Sequence, residues 1–137
     1  MTNSRIKAMC GGHDAIIEVI AQIEPSLRFY NKVKPLLREL NALVLSHFTR
    51  QNEILYKRLE EYYAQDRPSL KILEFLVFDL KELKVNYLYF FDRHTGEMGD
   101  KETLGFPVEF MNFSRQILAR IKMEEEYLFP LIDRLEN

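Results

Sequence analysis

His47 and Gln51 stand four residues apart, one helical turn, and Arg120 and Glu124 repeat that spacing near the C-terminus. With His13, close to the N-terminus, these side chains have the types to work together. Histidines and carboxylates on the inward faces of a helical bundle are the material of metal centres, in which Glu and His one turn apart converge on iron. They are also the material of a polar core layer, where a buried group without a partner costs about 1–3 kcal/mol. The residue types favour the layer, because Arg120 is a cation and has the wrong sign for a metal shell. We therefore expect His47, Gln51, Arg120 and Glu124 to hydrogen-bond one another, with His13 within reach, and expect no metal, no other cofactor and no catalytic residue.

Other routes to chemistry are thin. The single cysteine, Cys10, is flanked by Gly11 and Gly12 and reads as a free thiol, not half of a Cys–His pair. No phosphate-binding loop, dinucleotide fingerprint or zinc-ligand spacing occurs, and paired carboxylates such as Glu124, Glu125 and Glu126 are usually a solvated helix face rather than a catalytic pair. The chain is therefore expected to bind rather than to catalyse. A net charge of −2 gives no electrostatic reason to bind nucleic acid directly. One cysteine in 137 residues and no apolar run long enough for a signal peptide or membrane helix point to the cytoplasm.

Positioning those groups requires long helices. Hydrophobic residues make up 47% and charged residues 29%, with five glycines and five prolines, which suits one helical domain spanning residues 1–137. Ile16, Ile20, Ile23, Leu27 and Tyr30 form a stripe that predicts a first helix from about Asp14 to Lys34, kinked at Pro25. Pro35 is expected in the first turn of a second helix running to about Ala64, with Leu37, Leu40, Val44, Leu55 and Leu59 inward. Asp66 to Ser69 reads as a turn with Ser69 as cap, followed by a third helix to about Arg93 with Ile72, Leu76, Leu80, Leu83, Tyr87 and Phe90 inward. Thr95 to Gly105 is the longest connection and the expected mobile part. A fourth helix runs from Pro107 to about Leu135, with Met111, Ile117, Ile121, Glu124 and Leu128 on one face. Four long helices with mostly short links predict an all-α, up-and-down antiparallel four-helix bundle.

Two family resemblances attach to these residues. His47 with Gln51, and Glu124 followed by Leu128 and Pro130, resemble hemerythrin-type cation-binding bundles, which carry His-x-x-x-Glu on two helices. There Gln51 replaces the bridging carboxylate, Arg120 replaces a histidine, and the third helix has no histidine before His94, so the likeness implies at most a degenerate site. A collinear set of segments resembles instead the Rsd/AlgQ family of bacterial regulators. It comprises Gly11 to Glu18, Leu43 to Phe48 with Ile54, Leu55, Leu59 and Glu60, then Leu88 to Arg93 with Gly99 and Asp100, and Arg115 to Leu128. In that register Arg120 and Glu124 are expected residues, whereas Asn41 and Asn52 replace acidic ones.

The second resemblance implies a bundle whose groove embraces region 4 of the primary, sigma-70 class sigma factor of RNA polymerase. Such an anti-sigma factor acts on transcription by limiting use of that sigma factor. His13, Asn41, His47, Phe48, Tyr56, Tyr89, Phe91 and Asp92 are the partner-binding residues expected from it, and Gln51, Arg120 and Glu124 the inner polar layer. The alternatives are the hemerythrin-like metal- or oxygen-binding bundle with a degenerate site and a helical adaptor protein, since bundles of this fold serve many functions.

Overall fold

A computed structural model describes residues 4–95 and 105–136, leaving aside the side chains of Arg50, Gln51 and Glu136. Residues 96–104, in the connection expected to be mobile, lie outside the described residues. The fold is an all-α four-helix bundle built from α1 (Ser4–Ile23), α2 (Tyr30–Leu45), α3 (Asn52–Tyr62), α4 (Arg67–Thr95), α5 (Phe106–Met123) and α6 (Phe129–Glu136). A π-helical turn, Ser46–Gln51, joins α2 to α3 as one rod, and another, Glu124–Leu128, joins α5 to α6. Each rod packs on the next in sequence and the fourth returns against α1. No helix among the described residues is long and apolar enough to cross a membrane.

Pro25 ends the first helix instead of kinking it. Glu24–Ser26 tightens to a 3-10 turn, closed by the Phe29 amide donating to the Ser26 carbonyl at 2.8 Å, and the chain reverses. The missing N–H at Pro25 and the restriction it places on Glu24 stop α-helical bonding there. Leu27 and Tyr30 still pack on the core, one from the turn and one from the next helix, so the unbroken stripe does not mean an unbroken helix. Pro35 consequently lies inside α2 rather than in its first turn. Asp66, not Ser69, caps α4: its carboxylate accepts from the Ser69 amide at 3.3 Å and hydroxyl at 2.8 Å. Those bonds hold the Asp66 carboxyl below its usual range.

Inward positions shift from expectation at two places. Phe110 and Phe113, not Met111, face the core from α5, and Leu73 rather than half-buried Ile72 does so from α4. The bundle end near His94 is filled by aromatic rings, with Phe90 and Phe113 stacked at 4.2 Å between centroids. Tyr30 and Phe106 meet edge to face there, and His94 pairs with Glu109. Near the opposite end, the Tyr63 hydroxyl donates to the Leu131 carbonyl at 2.6 Å and ties the second rod to the fourth.

The first helix also starts earlier than the sequence suggests and runs straight through Gly11 and Gly12. Their roles differ. A Cβ on Gly12 would sit 3.0 Å from Nδ1 of His47, whereas one on Gly11 would meet nothing within 4 Å. Gly11→Ala should therefore stabilise by about 0.5–1 kcal/mol through helix propensity alone. Gly12→Ala should gain none of this, because the buried His47 ring must move to admit the methyl group. Urea denaturation of the two variants checks the contrast.

Candidate functional site: a buried carboxylate layer

Glu124 lies in the second π turn and is fully buried, with both carboxylate oxygens engaged. Oε1 is 2.8 Å from Nε2 of His13 and 2.8 Å from Nε2 of His47. Oε2 accepts from Nδ2 of Asn52 at 2.6 Å and from Nε of Arg120 at 3.1 Å. These four neighbours use the whole acceptor capacity of one carboxylate. Burial by itself would raise the Glu124 pKa, but the histidine bonds and the Arg120 charge together hold it well below its ordinary value of 4.5. The group is an ionised carboxylate inside the bundle.

The surrounding groups come from every rod. His13 is on α1; His47 sits in the first π turn, and Asn52 and Tyr56 follow on α3. Arg120, 1% exposed, closes the layer from α5. Its Nη1 donates to the Leu76 carbonyl at 2.8 Å and to Asp79 at 3.0 Å, both on α4, and its Nη2 donates to the Tyr56 hydroxyl. Burial pushes the Tyr56 phenol far up, so it stays neutral and accepts. The two imidazoles meet edge to face at 4.6 Å between centroids, and His13 stacks on Phe129 at 5.6 Å.

Arg120 and Glu124 thus join each other in the inner layer as the sequence predicted, while the side chain of Gln51 lies outside the described residues. Asn52 was not foreseen there. A π turn carries one residue more than an α-helical turn, and the inward position after His47 and Phe48 is filled by Asn52. Pro130 gives a local reason for the second π turn, since it cannot donate to the Glu126 carbonyl. No comparable signal marks the first.

The expected partner-binding set is divided. His13 and His47 belong to the layer, and Phe48, Tyr56 and Phe91 are 0%, 4% and 3% exposed. These five were expected beside an open groove and instead fill the space between interdigitating rods. Asn41 is half-buried on α2, and only Tyr89 and Asp92, on α4, are exposed. Sequence reasoning missed the exposed companions of Tyr89. Phe75, Phe78 and Val85 precede it at helical spacing on the same outward face, a stripe legible once the core face of α4 is fixed. Cys10 is half-buried, and burial with the Glu125 and Asp14 charges pushes its thiol up, so it is not an activated nucleophile.

No family model, curated protein or solved structure matches this chain. The likeness to Rsd/AlgQ regulators therefore rests on the residues quoted for it.

Removing the carboxylate strands the groups around it. Glu124→Ala should destabilise by about 3–5 kcal/mol, the scale for breaking a buried ion pair from one side, measured by urea denaturation at neutral pH. The pH dependence has a definite sign. Because the folded pKa of Glu124 is depressed, its contribution is complete above the unfolded value of 4.5 and is lost as pH falls below that. Stability of the native chain should fall more steeply with acidification below about pH 4.5 than stability of Glu124→Gln. Parallel slopes would mean that Glu124 does not titrate with folding.

Proposed function

We propose that this chain is a protein-binding regulator that engages region 4 of a primary sigma factor, with the outward face of α4 as its contact surface. The observation that carries the reading is the exposure of Phe75, Phe78, Val85 and Tyr89 at 53%, 62%, 68% and 65%. They recur at helical spacing on the side of α4 opposite Leu76, Leu80, Leu83 and Tyr87. Single exposed apolar residues are ordinary, but a row of four along one helix is the pattern of a binding surface. Phe75 extends the row into a groove of about 440 Å³ lined also by Lys71, Ile72, Met123 and Tyr127.

Region 4 is a helix-turn-helix module, basic because it contacts DNA phosphates. The outward face of α4 carries exposed Glu74, Glu82 and Asp92 among its apolar residues, beside Lys71 and Lys81. Apolar anchors with polar and acidic neighbours suit such a partner. Covering region 4 would keep it from promoter DNA, which is the regulatory consequence the resemblance implies. This placement moves the contact surface away from Phe48, Tyr56 and Phe91, whose truncation would act through the core.

Titration calorimetry with isolated region 4 tests the reading. A complex is expected in the micromolar range, and absence of heat at about tens of micromolar removes the proposal. Phe78→Ala and Tyr89→Ala should each weaken binding about tenfold or more with little change in melting temperature. Phe48→Ala, in contrast, should cost about 3–5 kcal/mol of stability.

A further inference from the structure

His13 sits between two carboxylates. Its Nε2 is 2.8 Å from Glu124 Oε1, and its Nδ1 is 3.2 Å from Oε1 of Glu125. A neutral imidazole has one N–H and can satisfy only one of these acceptors. Two arrangements resolve the conflict. Either the ring is an imidazolium bridging both carboxylates, or a metal ion takes Nε2 while Nδ1–H donates to Glu125. The second is the carboxylate–histidine–metal relay that fixes tautomer and ring orientation at metal sites.

We propose that His13 Nε2, His47 Nε2 and Glu124 Oε1 form a site for one divalent first-row transition-metal ion inside this layer. The three donor atoms lie within 4.8 Å of one another and all three residues are buried. Donors bound at about 2.1 Å to a common ion are separated by about 3.0–3.4 Å, so the 2.8 Å His–Glu spacings need only a slight opening. Two imidazoles and a carboxylate are a ligand set used by zinc and by non-haem iron.

Arg120 does not oppose the ion. Its Nε bonds Oε2, and its other nitrogens are held by Leu76, Asp79 and Tyr56, so the guanidinium lies on the far oxygen and orients Glu124. Asn52 Nδ2 holds the same oxygen, leaving Oε1 to the histidines. With neutral imidazoles, Glu124, Glu125 and Asp79 against Arg120 leave two negative charges, which a divalent cation neutralises. Asn52 Oδ1 is a buried acceptor with no hydrogen-bond partner among the described residues. His47 and Glu124 both stand in π turns, which recur at ligand-binding positions in helices. Gly12 lets α1 approach the His47 ring closely enough to bring His13 onto the same oxygen. This reverses the expectation of no metal drawn from Gln51 and Arg120, and it assigns one ion rather than a pair.

The test uses the full chain, stripped with chelator and titrated with Zn²⁺ by calorimetry and with Co²⁺ by visible absorption. The expected result is one ion per chain, with Co²⁺ bands characteristic of imidazole ligation. His13→Gln and His47→Gln should abolish uptake. Glu125→Gln alters a half-exposed side chain and should remain folded, still binding one ion with affinity lowered about tenfold. No uptake by folded protein overturns the proposal, as does binding that both histidine variants leave unchanged, or two ions per chain. If the histidine variants fail to fold, nitrogen-15 NMR of the native chain decides. His13 protonated on both nitrogens in the presence of Zn²⁺ would establish the imidazolium bridge instead.

Discussion

A single ionised carboxylate, Glu124, sets the terms for the middle of this bundle. Its burial is complete, and an uncompensated charge there would cost several kcal/mol. The bundle meets that demand by directing His13, His47, Asn52 and Arg120 at its two oxygens. Every one of those groups is itself buried and polar, so each brings its own requirement. Arg120 needs Leu76, Asp79 and Tyr56, while His13 needs Glu125. Satisfying the first charge therefore recruits all four rods. Apolar packing supplies the driving force for the bundle, but the layer specifies which helix faces meet, because a slip of one turn would part the donors from their acceptor.

The same requirement accounts for local features that propensity alone disfavours. Two adjacent glycines would not be chosen for the middle of a helix, yet α1 runs through both, and Gly12 is where the His47 ring approaches. The π turns leave regular α-helical hydrogen bonding at the places where His47 and Glu124 enter the core. Strain against local rule is concentrated where the polar groups converge, as it is wherever tertiary demands override propensity.

The bundle was legible in the sequence because apolar residues recur at helical spacing through long segments with few breakers. Glu124 and Arg120 were legible as a pair for a related reason: polar groups standing on an otherwise apolar stripe need each other. Helix boundaries were less so. Leu27 and Tyr30 keep the phase of α1 although the chain turns at Pro25, since a turn can also deliver side chains to the core. Asn52 was hidden by the extra residue of a π turn, which no feature near Ser46 announces. The aromatics Phe48, Tyr56 and Phe91 show a further limit. Periodicity says that a side chain faces inward, but whether the inward space is a groove or a filled core depends on how closely the rods approach. Around these three rings the space is filled, and a row of exposed apolar residues stands on the far side of α4.

That apolar row shares α4 with two partners of Arg120, Leu76 and Asp79, which bears on how a partner would be met. Leu76, whose carbonyl accepts from Arg120, directly follows exposed Phe75 in the chain, and Asp79 directly follows exposed Phe78. A carbonyl with two lone pairs can serve the helix and the guanidinium together, so the bond anchors α4 without breaking it. The stretch that displays the apolar row is thereby pinned from behind by a buried cation, itself held by Glu124. Binding surfaces lose affinity to the ordering of mobile segments. A face carried on a helix tied through Arg120 to the centre of the bundle has already lost that freedom on folding, so the polar layer would favour the proposed binding through stiffness, without touching a partner.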